Sequence, residues 1–161
     1  MRPALISEVM RLKDYVMVDN IILLVEDNPD DEILTLRALR KNHIGNKVIV
    51  VRDGAEALDF LFCTGLYADR DPNKMPEIIL LDLRLPKLGG LEVLQRIRRK
   101  EQTRLLPVVI LTSSDRDQDL VEGFKFGANA YIPKPVNFTH LIEAVHQLDL
   151  HLMVLSEVPH F

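Results

Sequence analysis

The sequence has little cysteine, no tryptophan and no long apolar run. Its 161 residues include one cysteine, Cys63, which excludes an internal disulfide and fits a reducing compartment. No stretch approaches the roughly 18 uncharged apolar residues of a membrane span, so we expect no transmembrane helix. The first 16 residues also lack the uncharged core of a signal peptide, because charged residues interrupt them. These absences predict a cytoplasmic protein.

An excess of positive charge is also absent. Twenty Lys and Arg residues stand against 24 Asp and Glu residues, and the formal net charge is −4. A nucleic-acid-binding domain usually carries a basic face, so we expect no DNA partner. The chain is 47% hydrophobic and 27% charged, which is typical of a soluble globular protein. Its length corresponds to one domain of ordinary size, with residues left over for extensions.

Five short apolar runs rich in valine and isoleucine are the main feature that is present. The runs cover residues 21–25, 48–51, 78–81, 107–111 and 130–132. They do not alternate with polar residues. This pattern is typical of strands that are buried on both faces of a parallel sheet.

Segments with helical spacing separate the runs. Asn28 and Pro29 predict the N-cap and first position of one helix, and Asp53 with Glu56 predicts an acidic variant of the capping box at the next. Further helices are expected over about 90–100, 117–126 and from about 137 onward. The repeated alternation predicts a flavodoxin-like α/β fold, a doubly wound five-stranded parallel sheet with strand order 2-1-3-4-5.

Polar residues follow the predicted strands at their carboxyl ends, the edge at which sheets of this kind bind ligands. They are Glu26 and Asp27, Asp82, Thr112, and Lys134. Carboxylates about 4 Å apart repel by roughly 4 kcal/mol per pair at an effective dielectric of about 20. A hard dication such as Mg²⁺ is therefore the expected counter-ion. Lys134 and Thr112 could then bind an incoming phosphoryl group, with one aspartate as the nucleophile.

These residues and their neighbours resemble the receiver domain of two-component response regulators. The resemblance covers about residues 21–148. It rests on Val25-Glu26-Asp27, Leu81-Asp82-Leu83-Arg84-Leu85-Pro86 with Gly89-Gly90, Leu111-Thr112-Ser113, Gly127-Ala128 and Tyr131-Ile132-Pro133-Lys134-Pro135. The stretch Phe60-Leu61-Phe62-Cys63-Thr64-Gly65, with the long loop after it, resembles the single-domain regulators of cyanobacterial phytochrome-type histidine kinases.

The resemblance implies a role for each acidic residue. Asp82 would be the phosphoacceptor. Asp27, Asp82 and the backbone carbonyl of Arg84 would bind Mg²⁺ directly, and Glu26 would assist through water.

The resemblance also implies a switch beside the acidic residues. Lys134 would pair with the phosphoryl oxygens, and Thr112 would hydrogen-bond the phosphoryl group and shift on activation. Tyr131 would then turn inward behind Thr112. The family usually has a cis peptide bond at the position of Lys134-Pro135, where an X-Pro bond makes that isomer accessible.

The expected function is that of a stand-alone response regulator. It would accept a phosphoryl group on Asp82 from a histidine kinase of the phytochrome type, lose it by hydrolysis and signal through phosphorylation-dependent contacts with a downstream protein. It would not be a conventional enzyme. A constitutive, phosphorylation-independent receiver-like interaction module stays open as the alternative. A phosphatase of the haloacid dehalogenase type is disfavoured, because Arg84 stands where that class has its second aspartate.

Both ends of the chain extend beyond the expected receiver. We predict an N-terminal helical extension at 1–18, the receiver domain at 19–150 and a C-terminal extension of the last helix at 151–161. The N-terminal segment has helical apolar spacing. We expect a homodimer through the last helix and this extension, with folding of the arm onto its own domain, or a start at Met17, as alternatives.

Overall fold

The computed structural model describes residues 21–41, 46–113 and 117–147. The extensions predicted at 1–18 and 151–161, and the dimer contact assigned to them, lie outside these residues.

Strands and helices alternate along the described chain, as predicted. The strands are β1 (Ile21–Val25), β2 (Lys47–Val51), β3 (Ile78–Asp82), β4 (Val108–Thr112) and β5 (Ala130–Pro133). The helices are α1 (Pro29–Lys41), α2 (Gly54–Phe62), α3 (Gly90–Arg99), α4 (Asp117–Lys125) and α5 (Phe138–Gln147). A 3₁₀ turn, Gly65–Tyr67, follows α2. In the ranges that are described, no helix has both the length and the hydropathy to cross a membrane.

All five strands are parallel and lie in the order β2-β1-β3-β4-β5, which confirms the predicted fold. The register pairs Val25 of β1 with Val51 on one side and Leu81 on the other. Asp82 pairs with Leu111 of β4. The carboxyl ends of these strands therefore meet at one edge of the sheet, where the predicted site residues follow them.

Helices cover both faces of the sheet. On one face, α2 and α3 pack against alternate residues of the central strands, with Leu61, Leu94 and Ile97 fully buried. On the other face, α1 and α5 pack against the intervening strand residues through Leu39 and Leu141. Because side chains alternate across a strand, each central strand supplies apolar residues to both layers.

The expectation that every strand is buried on both faces is wrong for the two edge strands. In β2, Val48, Ile49 and Val50 are only half-buried. In β5, burial alternates, with Tyr131 exposed and Ile132 fully buried. An edge strand has a neighbour on one side only, and the helices cross over the central strands, so the flanks of the sheet remain partly in contact with solvent.

The predicted caps form where two helices leave the site edge of the sheet. Asn28 Oδ1 accepts hydrogen bonds from the backbone N–H groups of Asp30 and Asp31 at 2.9 and 3.0 Å, and Asp53 Oδ1 accepts one from Glu56 N–H at 2.7 Å. In a capping box the Glu56 side chain would accept from the backbone N–H of the N-cap residue, Asp53. Here Glu56 Oε1 accepts instead from the backbone N–H of Arg52, one residue earlier, at 3.0 Å. The first turn of α1 is thereby held at the edge where β1 ends.

Candidate functional site

Three carboxylates converge where β1 and β3 end. Ligand oxygens of Glu26, Asp27 and Asp82 lie within 4.8 Å of one another. Glu26 is fully buried, Asp82 is 5% exposed and Asp27 is exposed. The parallel register of β1 and β3 brings these residues together, so the predicted acidic cluster forms.

Asp82 is held in place by the loop that follows β3. Its Oδ1 accepts a hydrogen bond from the backbone N–H of Arg84 at 3.0 Å. The loop then folds back, and Gly90 N–H donates to the Leu83 carbonyl at 3.0 Å. A Cβ at Gly90 would lie 2.4 Å from the Asp82 carbonyl oxygen. Only glycine therefore lets α3 begin this close to the end of β3.

Lys134 is the first residue after β5, and its side chain contacts the carboxylates. Its side chain is 9% exposed, and its Nζ lies 2.8 Å from Glu26 Oε1 and 2.9 Å from Asp82 Oδ2. Its backbone N–H donates to the Thr112 carbonyl at 3.0 Å, which ties the loop after β5 to the end of β4. The peptide bond between Lys134 and Pro135 is cis, as predicted.

The site is electrostatically unbalanced in favour of negative charge. Burial lowers the pKa of Lys134, but its hydrogen bonds to carboxylates outweigh burial and raise that pKa overall, so the ammonium stays charged. Burial, reinforced by Asp82 and opposed by Lys134, raises the pKa of Glu26 to about 7. One lysine therefore faces more carboxylate charge than it neutralises.

A divalent cation fits this donor set. Glu26 Oε1 is buried and, although it is ion-paired with Lys134, accepts no hydrogen bond of acceptable geometry from the described residues. Asp27 presents its carboxylate beside it at the surface. Carboxylate oxygens are the ligands of hard dications, so Glu26, Asp27 and Asp82 form an acidic cluster that could bind a metal ion.

The two predicted switch residues lie on β4 and β5. Thr112 is buried at the end of β4, one residue beyond the partner of Asp82 in the register. Tyr131 is 45% exposed and packs edge-to-face against Phe124 of α4, with ring centroids 6.3 Å apart. Tyr131 therefore lies at the surface in this structure, and its inward turn behind Thr112 stays a prediction.

Sequence reasoning missed one member of the site, Asp31. Its Oδ2 accepts a hydrogen bond from Lys134 Nζ at 2.9 Å, across 103 residues of chain. The predicted helix start at Asn28-Pro29 was the available signal. It puts Asp31 in the first turn of α1, four residues after Asp27.

Comparison with known proteins identifies the family. A sequence model of the response regulator receiver domain matches residues 22–146, and the chain belongs to that family. The probable methanogenesis regulatory protein FilR2 of Methanothrix harundinacea is 40% identical over 128 residues, which cover 80% of each protein. Response regulator Rcp1 of Synechocystis is 36% identical over 129 residues, which cover 80% of this chain and 86% of Rcp1.

Solved structures of regulators linked to phytochromes have the same fold. The bacteriophytochrome response regulator AtBRR is 49% identical, has a TM-score of 0.78 and is matched over 86% of this chain and 99% of its own. The Mn²⁺-bound form of Rcp1 has a TM-score of 0.66 at 35% identity, covering 81% of this chain and 91% of that one. The phosphorylated cyanobacterial phytochrome response regulator RcpA has a TM-score of 0.68 at 37% identity, covering 81% of this chain and 91% of that one.

Proposed function

We propose that this receiver domain accepts a phosphoryl group on Asp82 from a histidine kinase and transmits the signal through protein contacts that depend on that modification. The observation that carries the proposal is the placement of Asp82 between a buried lysine and two further carboxylates. Its Oδ2 lies 2.9 Å from Lys134 Nζ, and it shares a cluster with Glu26 and Asp27.

The proposed reaction is an in-line transfer. A carboxylate oxygen of Asp82 attacks the phosphorus of a phosphohistidine, so a P–O bond forms as the P–N bond breaks and the imidazole leaves with the nitrogen electron pair. Lys134 and Thr112 bind the phosphoryl oxygens and stabilise their charge. Asp27, Asp82, the Arg84 carbonyl and, through water, Glu26 would hold Mg²⁺, which would supply further positive charge there. Hydrolysis of the acyl phosphate ends the signal, so the protein is a switch and not a conventional enzyme.

Two similar structures support this chemistry. RcpA has been solved in a phosphorylated form and Rcp1 in a Mn²⁺-bound form. We infer from these relatives and from AtBRR that the partner kinase is of the phytochrome type. The output passes to a downstream protein.

Phosphate incorporation is the direct test of the proposal. The protein is incubated with Mg²⁺ and acetyl phosphate, and its intact mass is compared with that of Asp82→Asn. Asp69→Asn, which changes an exposed residue in the loop after α2, is the matched control. We expect one added phosphoryl group on the wild type and on Asp69→Asn, and none on Asp82→Asn. Labelling that survives in Asp82→Asn refutes the acceptor assignment. A wild type that binds Mg²⁺ but gains no mass favours the constitutive interaction module.

The kinase and the dimer need separate tests. A phytochrome-type kinase that has been autophosphorylated on histidine should transfer its label to the wild type faster than an unrelated histidine kinase does, and equal rates contradict the partner assignment. If the expected homodimer forms, deletion of residues 1–16 should lower the number of chains in the assembly, as measured by its mass in solution. An assembly with an unchanged number of chains contradicts the homodimer.

A further inference from the structure

Three carboxylates crowd the ammonium group of Lys134. Its Nζ lies 2.8 to 2.9 Å from oxygens of Glu26, Asp31 and Asp82, and it donates hydrogen bonds to Asp31 and Asp82. An ammonium group has three N–H donors, so a phosphoryl oxygen that approaches Lys134 competes with these carboxylates for its hydrogen bonds and its charge.

Asp31 is the partner that Lys134 can release at the lowest free-energy cost. Its side chain is 31% exposed, whereas those of Glu26 and Asp82 are 0% and 7% exposed. Water can hydrate a carboxylate at the surface when its ion pair opens, but a buried carboxylate that loses a paired cation cannot be hydrated in the same way. Asp82 is in addition the group that would itself carry the phosphoryl.

Asp31 is also placed by elements separate from the rest of the site. It lies in the first turn of α1, where its backbone N–H donates to the Asn28 side chain at 3.0 Å. It is not a member of the carboxylate cluster formed by Glu26, Asp27 and Asp82. Its ion pair with Lys134 joins α1 to the loop after β5.

We propose that Asp31 is a positioning residue that competes with the phosphoryl group for the ammonium of Lys134. In the unphosphorylated protein, Asp31 holds Lys134. On phosphorylation, Lys134 exchanges Asp31 for a phosphoryl oxygen, and the tie between α1 and the loop after β5 opens. Asp31 thereby sets how readily the phosphorylated state forms. This inference rests on the proposed function of Asp82.

The test measures how tightly the site holds a phosphoryl analogue. Wild type, Asp31→Asn and Asp31→Glu are titrated with beryllofluoride in the presence of Mg²⁺, and labelling by acetyl phosphate is followed in parallel. We expect Asp31→Asn to bind beryllofluoride roughly fivefold more tightly, which corresponds to about 1 kcal/mol, and to reach a higher phosphorylated fraction. Asp31→Glu retains a competing carboxylate, so its affinity should stay within about twofold of that of the wild type.

Asp30→Asn is the matched control. It removes the same charge from the same turn of α1 at an exposed position, and its affinity should stay near that of the wild type. Asp31→Ser, a second neutral replacement, must act in the same direction as Asp31→Asn, which separates loss of the charge from an effect of the new side chain. Equal affinities for Asp31→Asn and Asp30→Asn, or weaker binding by Asp31→Asn, overturn the inference.

The outcomes also distinguish this inference from the proposed function. If the wild type is labelled on Asp82 but loss of Asp31 changes nothing, only the role of Asp31 is refuted. If the wild type neither binds beryllofluoride nor gains a phosphoryl group, the proposed function is refuted, and the role of Asp31 falls with it.

Discussion

Replacement of Arg98 by alanine should strongly destabilise the protein while leaving the site intact. The Arg98 guanidinium lies near the amino ends of β4 and β5, opposite the edge that carries Asp82. It donates two hydrogen bonds to the Gly127 carbonyl, at 2.7 and 3.0 Å, and one each to the carbonyls of Arg104 and Leu106, at 3.1 and 2.7 Å. Its Nη2 also donates to the side chain of residue 129 at 2.9 Å. One side chain thus joins the loop before β4 to the loop before β5.

The expected loss follows from the burial of the acceptors. Hydrogen bonds that involve a charged group contribute roughly 1.5–3 kcal/mol each when they are protected from water, and much less when water can replace them. The bonds to Gly127 and Leu106 are partly buried, whereas that to Arg104 is exposed. Counting only the protected bonds and discounting for their partial exposure, we expect Arg98→Ala to lower the free energy of unfolding by about 3 kcal/mol. Arg98→Lys should lower it by about half as much, since one ammonium cannot replace a planar fork of donors.

Urea unfolding followed by far-UV circular dichroism measures this loss, which suits a chain without tryptophan. Arg96→Ala is the control from the same turn of α3. Within the described part of the chain, Arg96 pairs with Glu92 at 3.2 Å in an exposed position, so its loss should cost less than about 0.5 kcal/mol. A loss below about 1 kcal/mol for Arg98→Ala, or a lysine variant as stable as the wild type, would refute the reasoning. Phosphoryl acceptance should be unchanged in the folded Arg98 variants.

Two further predictions concern the site loops. Lys87 has a φ of 65°, a backbone conformation that strains a residue with a Cβ atom. Lys87→Gly should therefore raise the free energy of unfolding in urea by about 0.5 kcal/mol, after the entropy of glycine is subtracted. Lys87→Ala keeps the strain, so a glycine variant less stable than the alanine variant contradicts this prediction. In metal-free protein, the pKa of Glu26 is raised to about 7 from 4.5, so its contribution to stability falls as pH rises from about 4.5 to about 7. Glu26→Gln should lack that decline, and parallel pH profiles for the two proteins would count against a buried, destabilised carboxylate.

Local sequence patterns predicted most of the fold because they depend on residues close together in the chain. Asn28-Pro29 specifies a helix start through a side chain that bonds N–H groups two and three residues on. Apolar runs without alternation predicted the strands. Once the strands are parallel, their carboxyl ends share one edge, so strand order placed Glu26, Asp82 and Lys134 at that edge without showing which of them are in contact.

The same patterns could not show which strands lie at the edges. The β2 and β5 runs have the composition of central strands, and only their position in the sheet leaves them partly exposed. The composition of a run shows that it can form a buried strand. Whether the strand is in fact buried depends on its position in the sheet, which the crossover connections decide.

The sequence by itself determined the elements, their order and the residue types at the site edge, because hydrophobic period, caps and turn residues act over a few positions. Tertiary structure alone decided the partners of long side chains. Lys134 meets Asp31 and Asp82 across 103 and 52 residues, and Arg98 meets Gly127 across 29. These contacts depend on how loops close and on which side chains are buried together, and no short-range pattern carries that information. The site residues were therefore predictable as a set, while the ion pair between Asp31 and Lys134 became visible only in the folded chain.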